Sequence, residues 1–317
     1  MKKIFLLSKG NVALGKEEVL ALAGMKKYEL VDNLLIVDAD FDFSRLAYTK
    51  SVYDLLFVSI KRQLSRKMKE FEWQKTYKKS FCIRVFGAEK SLEKEFAEIV
   101  WSKIKNPKVD LENAATNIHF FFSRKKIFCC LLKERISQKD FEQRRAHLRP
   151  AMHPSSLHPR LARCMVNLTG IRKGTIIDPF CGTGGILIEA GLMGFNVEGY
   201  DIERDMVEMA EKNLDSFKIS HKLAKKDATA ISKKMNYVVS DLPYAKATKA
   251  QDLEKLYSSF FAVLKRNLQK KAVLGLPDFV SCREMIEKSG LNVEHEFGYY
   301  VHKSLTKKIF VISSLSV

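Results

Sequence analysis

The stretch Thr175-Ile176-Ile177-Asp178-Pro179-Phe180-Cys181-Gly182-Thr183-Gly184-Gly185 constrains this chain more than any other. Ile176 and Ile177 read as the end of a buried strand, the glycines as a sharp turn, and Ile186 to Ala190 as the start of an apolar helix. Strand, glycine turn and helix together make a nucleotide-binding corner, where a side chain would block close approach of a ligand to the backbone. The acid sets this corner apart. Asp178 stands at the strand end, with no Lys or Arg between it and Glu189. A carboxylate there disfavours a phosphate and suits a cation, such as the amino group and sulfonium of S-adenosylmethionine.

Later residues extend the pattern. Asp201 ends the next strand in Gly199-Tyr200-Asp201-Ile202, at a distance from the turn that lets an acid accept ribose hydroxyls and repel a 2′-phosphate. Asp227 follows a third strand and is placed to accept from an adenine amino group, with the backbone N–H of Ala228 beside it. The cofactor set is therefore Asp178, Pro179, Phe180, Cys181, Gly182, Thr183, Gly184, Asp201, Ile202, Asp227 and Ala228. A nicotinamide-type site and an emptied cofactor site are the rivals. Strands at Thr175–Asp178, Asn196–Asp201, Leu223–Ala224, Tyr237–Ser240 and Ala272–Leu276 alternate with helices, and Val293–Val301 and Lys307–Ser313 close as a hairpin. That order predicts an α/β, Rossmann-like sheet of seven strands ending in an antiparallel hairpin, the layout of class I methyltransferases.

Ser240-Asp241-Leu242-Pro243-Tyr244 ends the fourth strand. It resembles the Asp/Asn-Pro-Pro-Tyr motif of methyltransferases that act on exocyclic amino groups of nucleobases. Such a nitrogen has its lone pair spread into the ring and is a poor nucleophile. Accepting its protons frees the lone pair for attack on the methyl carbon. The resemblance implies that Asp241 accepts one N–H, the Leu242 carbonyl another, Pro243 fixes the turn and Tyr244 stacks on the flipped base. Leu242 departs from the usual proline, which keeps open an RNA-binding protein with a vestigial site.

The 317 residues carry 55 Lys plus Arg against 37 Asp plus Glu, a net charge of +18. Residues 1–150 hold +12 of it, so the first half is the expected partner of a polyanion. Candidate RNA contacts are Arg62, Arg66, Lys67, Lys75 and Lys78, interleaved with Phe71, Trp73 and Tyr77, and the basic turn Arg124-Lys125-Lys126. A solvated linker whose aromatics tuck into the next domain is the alternative. The six cysteines form no C-x-x-C pair, so no metal site is expected. No signal peptide or long apolar run is evident, and a cytoplasmic, reduced protein without a membrane partner is expected.

Residues 1–70 suggest a ferredoxin-like α+β sandwich, including a helix at Gly15–Gly24 and a helical piece at Phe43–Tyr48. Residues 80–135, with the segment Pro107-Lys108-Val109-Asp110-Leu111-Glu112-Asn113, resemble the THUMP domain of RNA-modifying enzymes. The expected division is a ferredoxin-like domain at 1–70, THUMP at 71–137, a linker and lead-in helix at 138–170, and the methyltransferase domain at 171–317. The run Leu157-His158-Pro159-Arg160-Leu161-Ala162-Arg163-Cys164-Met165-Val166-Asn167-Leu168 followed by the glycine turn is similar to the archaeal tRNA guanine-10 N2-methyltransferases. That resemblance implies S-adenosylmethionine-dependent methylation of guanine N2 in tRNA, at position 10, with another tRNA guanine or ribosomal RNA as alternative targets. A monomer is expected. A small activating subunit, as in the eukaryotic relatives, is left open.

Overall fold

A computed structural model describes residues 2–153, 156–244, 250–302 and 305–314. Pro154 and Ser155 of the expected proline-rich loop, and residues 303–304 of the expected hairpin connection, lie outside them. The chain forms two units.

The first unit, residues 1–10, 25–43 and 49–136, holds one sheet in the order β2-β3-β1-β4-β7-β6-β5. Its strands are β1 (Lys3–Leu7), β2 (Glu29–Val31), β3 (Leu34–Val37), β4 (Thr49–Ser59), β5 (Phe81–Phe86), β6 (Thr116–Ser123) and β7 (Lys126–Arg135). All neighbours run antiparallel except β5 and β6. Helices Leu64–Glu70 and Leu92–Trp101 bury Leu64, Met68, Phe96 and Val100 against Phe81, Ile118 and Phe120. Trp73 sits in the same core and donates its indole N–H to the Met68 carbonyl at 2.7 Å. An indole so placed contributes burial energy rather than an open stacking face. The aromatics of the basic stretch therefore pack into the core, with Trp73 fully buried and the Phe71 ring tilted against it at 4.7 Å between centroids.

The second unit, residues 11–24, 44–48 and 137–317, holds the other sheet, in the order β10-β9-β8-β11-β12-β14-β13. Its strands are β8 (Thr175–Asp178), β9 (Asn196–Asp201), β10 (His221–Lys225), β11 (Met235–Asp241), β12 (Leu268–Pro277), β13 (Leu291–His302) and β14 (Leu305–Ser314). The first five are parallel, and β14 returns antiparallel between β12 and β13, as the alternation predicts. Helices on both faces bury the sheet, so its strands read as continuous apolar runs rather than alternating ones. One core gathers Leu161, Met165, Ile186, Leu187 and Leu214, the other Leu253, Tyr257, Phe260, Phe261 and Ile286.

Two expectations for the amino-terminal region change. The expected helix at Gly15–Gly24 runs from Val12 to Ala23, capped by the Asn11 side chain on Leu14 N at 3.0 Å and closed by Gly24 in the left-handed region. It belongs to the second unit, not to the first sheet. Phe43–Arg45 is a single 3-10 turn, and the residues after it bend onto Glu18 instead of continuing as a helix. Glu18, fully buried, accepts from the backbone N–H groups of Ala47 and Tyr48, both at 2.8 Å, and from the Asn167 amide at 2.8 Å. A buried carboxylate is tolerated when its lone pairs are filled in this way. Burial still raises its carboxyl above the ordinary range, since desolvation outweighs the three donors. Glu18→Ala would strand three buried donors, and urea denaturation is expected to show a loss of roughly 2–4 kcal/mol. Glu18→Gln, which keeps one acceptor, should cost less.

Candidate active site

Strand order reverses at β8, whose partners are β9 on one side and β11 on the other. The carboxyl ends of these strands open on a common crevice, the place where ligands of open α/β sheets bind. Asp178, Asp201 and Asp241 are the last residues of β8, β9 and β11. They line one cavity of about 650 Å³.

The glycine turn builds the cavity floor. Gly182 and Gly184 have φ of 48° and 81°, a region that costs any side chain with a Cβ. Gly182 donates its N–H to Asp201 Oδ2 at 2.9 Å, while Glu203 N–H reaches Asp201 Oδ1 at 3.1 Å. Both bonds fix the carboxylate, and each oxygen keeps a lone pair for a further donor. Gly184 does not itself line the cavity. It caps the helix Gly185–Leu192, and a Cβ there would stand 3.3 Å from that of Ala210. The other cofactor candidates, Pro179, Phe180, Cys181, Thr183, Ile202, Asp227 and Ala228, do line it. Asp227 accepts from the Thr229 backbone N–H at 2.8 Å and hydroxyl at 2.7 Å, both on Oδ1.

The five carboxylates of the lining, from Asp178, Asp201, Glu203, Asp227 and Asp241, face no Lys or Arg among the described lining residues. In a protein of net charge +18 that local inversion favours a cationic ligand over a phosphate. Asp178 is buried, and accepts from Ser240 Oγ at 2.6 Å and Phe180 N–H at 3.2 Å. Burial pushes its carboxyl up to about 7, the two donors opposing it and the carboxylates of Asp241 and Asp201 adding to the rise. A positive charge bound beside it would draw it back down.

Asp241, Leu242, Pro243 and Tyr244 form the far wall. The Leu242 side chain is buried in the core, its N–H donating to the Gly275 carbonyl at 3.0 Å. The Pro243 carbonyl accepts from the Tyr257 hydroxyl at 2.8 Å. These two bonds hold the turn that a second proline would otherwise stiffen. Asp241 Oδ2 accepts from Lys307 Nζ, a buried cation on β14. Gly275 makes the room: a Cβ there would stand 2.4 Å from Asp241 Oδ1. Lys307, Gly275, Tyr257 and the Ser240 to Asp178 bond all escape sequence reasoning. A Lys-Lys pair opening a buried strand was the available signal, since period-2 alternation must turn one of the two inward.

The RNA candidates lie in the first unit. Arg62, Arg66, Lys75, Lys78, Arg124, Lys125 and Lys126 are exposed, whereas Lys67 is half-buried and donates to the Val58 carbonyl at 2.6 Å. Arg66, Lys75 and Lys126 pair with Glu70, Glu72 and Glu29. His158 caps the helix Pro159–Leu168 by accepting from Arg160 N–H at 3.1 Å, a structural use. No cluster of His, Cys, Asp and Glu suited to a metal occurs among the described residues, nor does any helix there have the length and apolarity to cross a membrane.

The UPF0020 model, described as an RMKL-like methyltransferase domain, matches residues 146–308. A second model, described as a DNA methylase, matches residues 4–212, a span that includes the glycine turn and stops before Ser240. The chain is 34% identical over 281 residues to the tRNA (guanine(10)-N2)-dimethyltransferase of Methanothermobacter thermautotrophicus, covering 84% of this chain and 83% of that one. Against the enzyme of the same name from Pyrococcus abyssi it is 33% identical over 256 residues, 77% of each. The crystal structure of TrmN from Thermus thermophilus shares the fold over 99% of this chain and 100% of that one, with a TM-score of 0.55 at 17% identity.

Carbon-13 NMR of the free protein should place the Asp178 carboxyl titration near pH 7. Ser240→Ala removes a donor that stabilises the anion and should move the midpoint higher. A midpoint in the ordinary aspartate range would contradict the burial argument.

Proposed function

The chain belongs to the UPF0020 family of RMKL-like methyltransferase domains and to the tRNA (guanine(10)-N2)-dimethyltransferases, and from that premise we propose that it methylates N2 of guanosine 10 in tRNA, twice. The observation that carries this reading is one cavity with carboxylates at the ends of β8 and β9 and just after β10, closed on the far side by Asp241 to Tyr244. The DNA-methylase match fits the same amino-group chemistry, but the relatives of a third identity over most of both chains are tRNA enzymes.

S-adenosylmethionine, when bound, supplies an electrophilic methyl group on a sulfonium. The cavity fits it by its size and by the absence of basic residues among its described lining. Asp178 faces the positive end of the ligand, Asp201 accepts from the ribose hydroxyls, and Asp227 with the Ala228 N–H reads the adenine edge. On the far wall Asp241 accepts one proton of the guanine amino group and the Leu242 carbonyl the other, which localises the nitrogen lone pair. Tyr244 stacks on the flipped base, a cost that base extrusion from structured RNA always carries. Asp241 would take up the proton that the amino nitrogen loses on methylation, which keeps the product neutral.

The remaining assignments concern the RNA. Residues 71–137 act as the THUMP module, with the ferredoxin-like strands of residues 1–70 beside them in sequence. Arg62, Arg66, Lys75, Lys78 and Arg124 to Lys126 follow phosphates, which makes tRNA affinity fall steeply with salt.

Incubation of the protein alone with unmodified tRNA and labelled donor should give dimethylated guanosine at position 10 on nucleoside mapping. Asp241→Ala should lower the transfer rate by roughly 10²–10³-fold with donor affinity nearly intact. Asp201→Ala should instead weaken donor binding, measured by calorimetry, by about tenfold to a hundredfold. Retained transfer in Asp241→Ala, or no binding heat in the wild type, would refute the assignment.

A further inference from the structure

Asp241 is held in an unusual way for a residue that must meet a substrate. Its Oδ2 is taken by Lys307, whose side chain is 3% exposed. Its Oδ1 is out of contact with solvent, lies over Gly275 and accepts no hydrogen bond among the described residues. Among the described residues the carboxylate is thus anchored through Oδ2, by the Lys307 ammonium alone. The same ammonium stands 4.6 Å from the centre of the Tyr244 ring, within cation–π range.

The strand register produces this arrangement. Asp241 pairs with Gly275 across β11 and β12, and Gly275 pairs with Ile309 across β12 and β14. Lys307 lies two residues before Ile309, on the same face of β14, so it points at the carboxylate that the glycine admits. Its neighbour Lys308, on the other face, is partly exposed and pairs with Glu296 at 3.0 Å. A lysine buried in a sheet is expensive unless paired, and among the described residues this one is paired with the residue and the ring assigned to the target base.

Resting on the function proposed above, we propose that Lys307 is a positioning residue for methyl transfer: it fixes the orientation of the Asp241 carboxylate through Oδ2 and braces the Tyr244 ring assigned to the base. It does not touch the reacting atoms. Its positive charge opposes the burial that raises the Asp241 carboxyl, while Asp241 and Tyr244 outweigh burial at Lys307 and hold the ammonium above the usual lysine value. Asp241 is faced by Lys307 on β14, Asp178 on β8, Tyr257 on the helix Ala250–Asn267 and Tyr244 on its own turn, whereas Gly275 on β12 offers no charge. Lys307 is the one cation in that set.

The test is a pH–rate profile for tRNA methylation under single turnover, read with donor affinity by calorimetry. In Lys307→Met the rate at neutral pH should fall about tenfold to a hundredfold, as expected when a reacting group loses its alignment. The acid limb should move to higher pH, because Asp241 without its cation holds a proton more tightly. Donor affinity should stay within about twofold, and Lys307→Arg should recover most of the rate and the original limb. Should the methionine variant fail to fold, Lys307→Gln, which keeps a neutral donor, should show the same displaced limb. A variant without the cation that retains both the wild-type rate and the wild-type limb overturns the proposal while leaving the function standing. A wild type that methylates no tRNA overturns both.

Discussion

The hydrogen bond from Ser240 to Asp178 joins the two halves of the active cavity, and the rest of the second unit is arranged so that it can form. It links the ends of β8 and β11, the strands on either side of the reversal in order. On one side of it the glycine turn forms the floor of the cavity, and on the other the turn from Asp241 to Tyr244 forms the wall; in the proposed function these receive the methyl donor and the target base. One buried serine hydroxyl therefore fixes the spacing between floor and wall, and it also supplies part of what keeps the Asp178 carboxyl from rising further.

Charge is distributed against the trend of the whole molecule. The chain is strongly basic, yet the described lining of the cavity carries five carboxylates and no lysine or arginine. Such a site disfavours phosphates, so in the proposed function the RNA meets it with an extruded base rather than with its backbone. Cations are kept one layer back. Lys307 reaches Asp241 from beneath the wall, and Arg144 and Arg163 pair with the buried Glu189 in the helix behind the glycine turn, at 2.7 and 2.8 Å. Lys307 offsets one of the five carboxylates and the arginines offset none of them, so carboxylates stay in excess at the described lining.

The second sheet was almost wholly legible, because the central strands of a sheet covered on both faces write themselves as apolar runs separated by helices, and β8, β9 and β11 each end on an acid. The site was legible to the same depth: the acids and the turn residues lie at strand ends, where local sequence decides position. What escaped was supplied across strands. Lys307 lies 66 residues from Asp241, and only register brings it opposite. Gly275 reads as an ordinary strand residue until the carboxylate beside it is known. In the amino-terminal region the helix after β1 was foreseen but its destination was not, since amphipathicity gives a face to bury and not the partner. Glu18 decided that destination through three buried bonds. The aromatics at Phe71 and Trp73 were ambiguous for the opposite reason, because stacking residues and core residues have the same composition.

The position of guanosine 10 in a crystal structure of the protein with S-adenosylhomocysteine and tRNA tests the account most directly. The account predicts the base turned out of the RNA and stacked on Tyr244, with N2 about 3 Å from the Asp241 carboxylate and the spent cofactor lying across Asp178 and Asp201. A base presented to Asp241 by another edge, or a cofactor bound outside the acidic cavity, would contradict it.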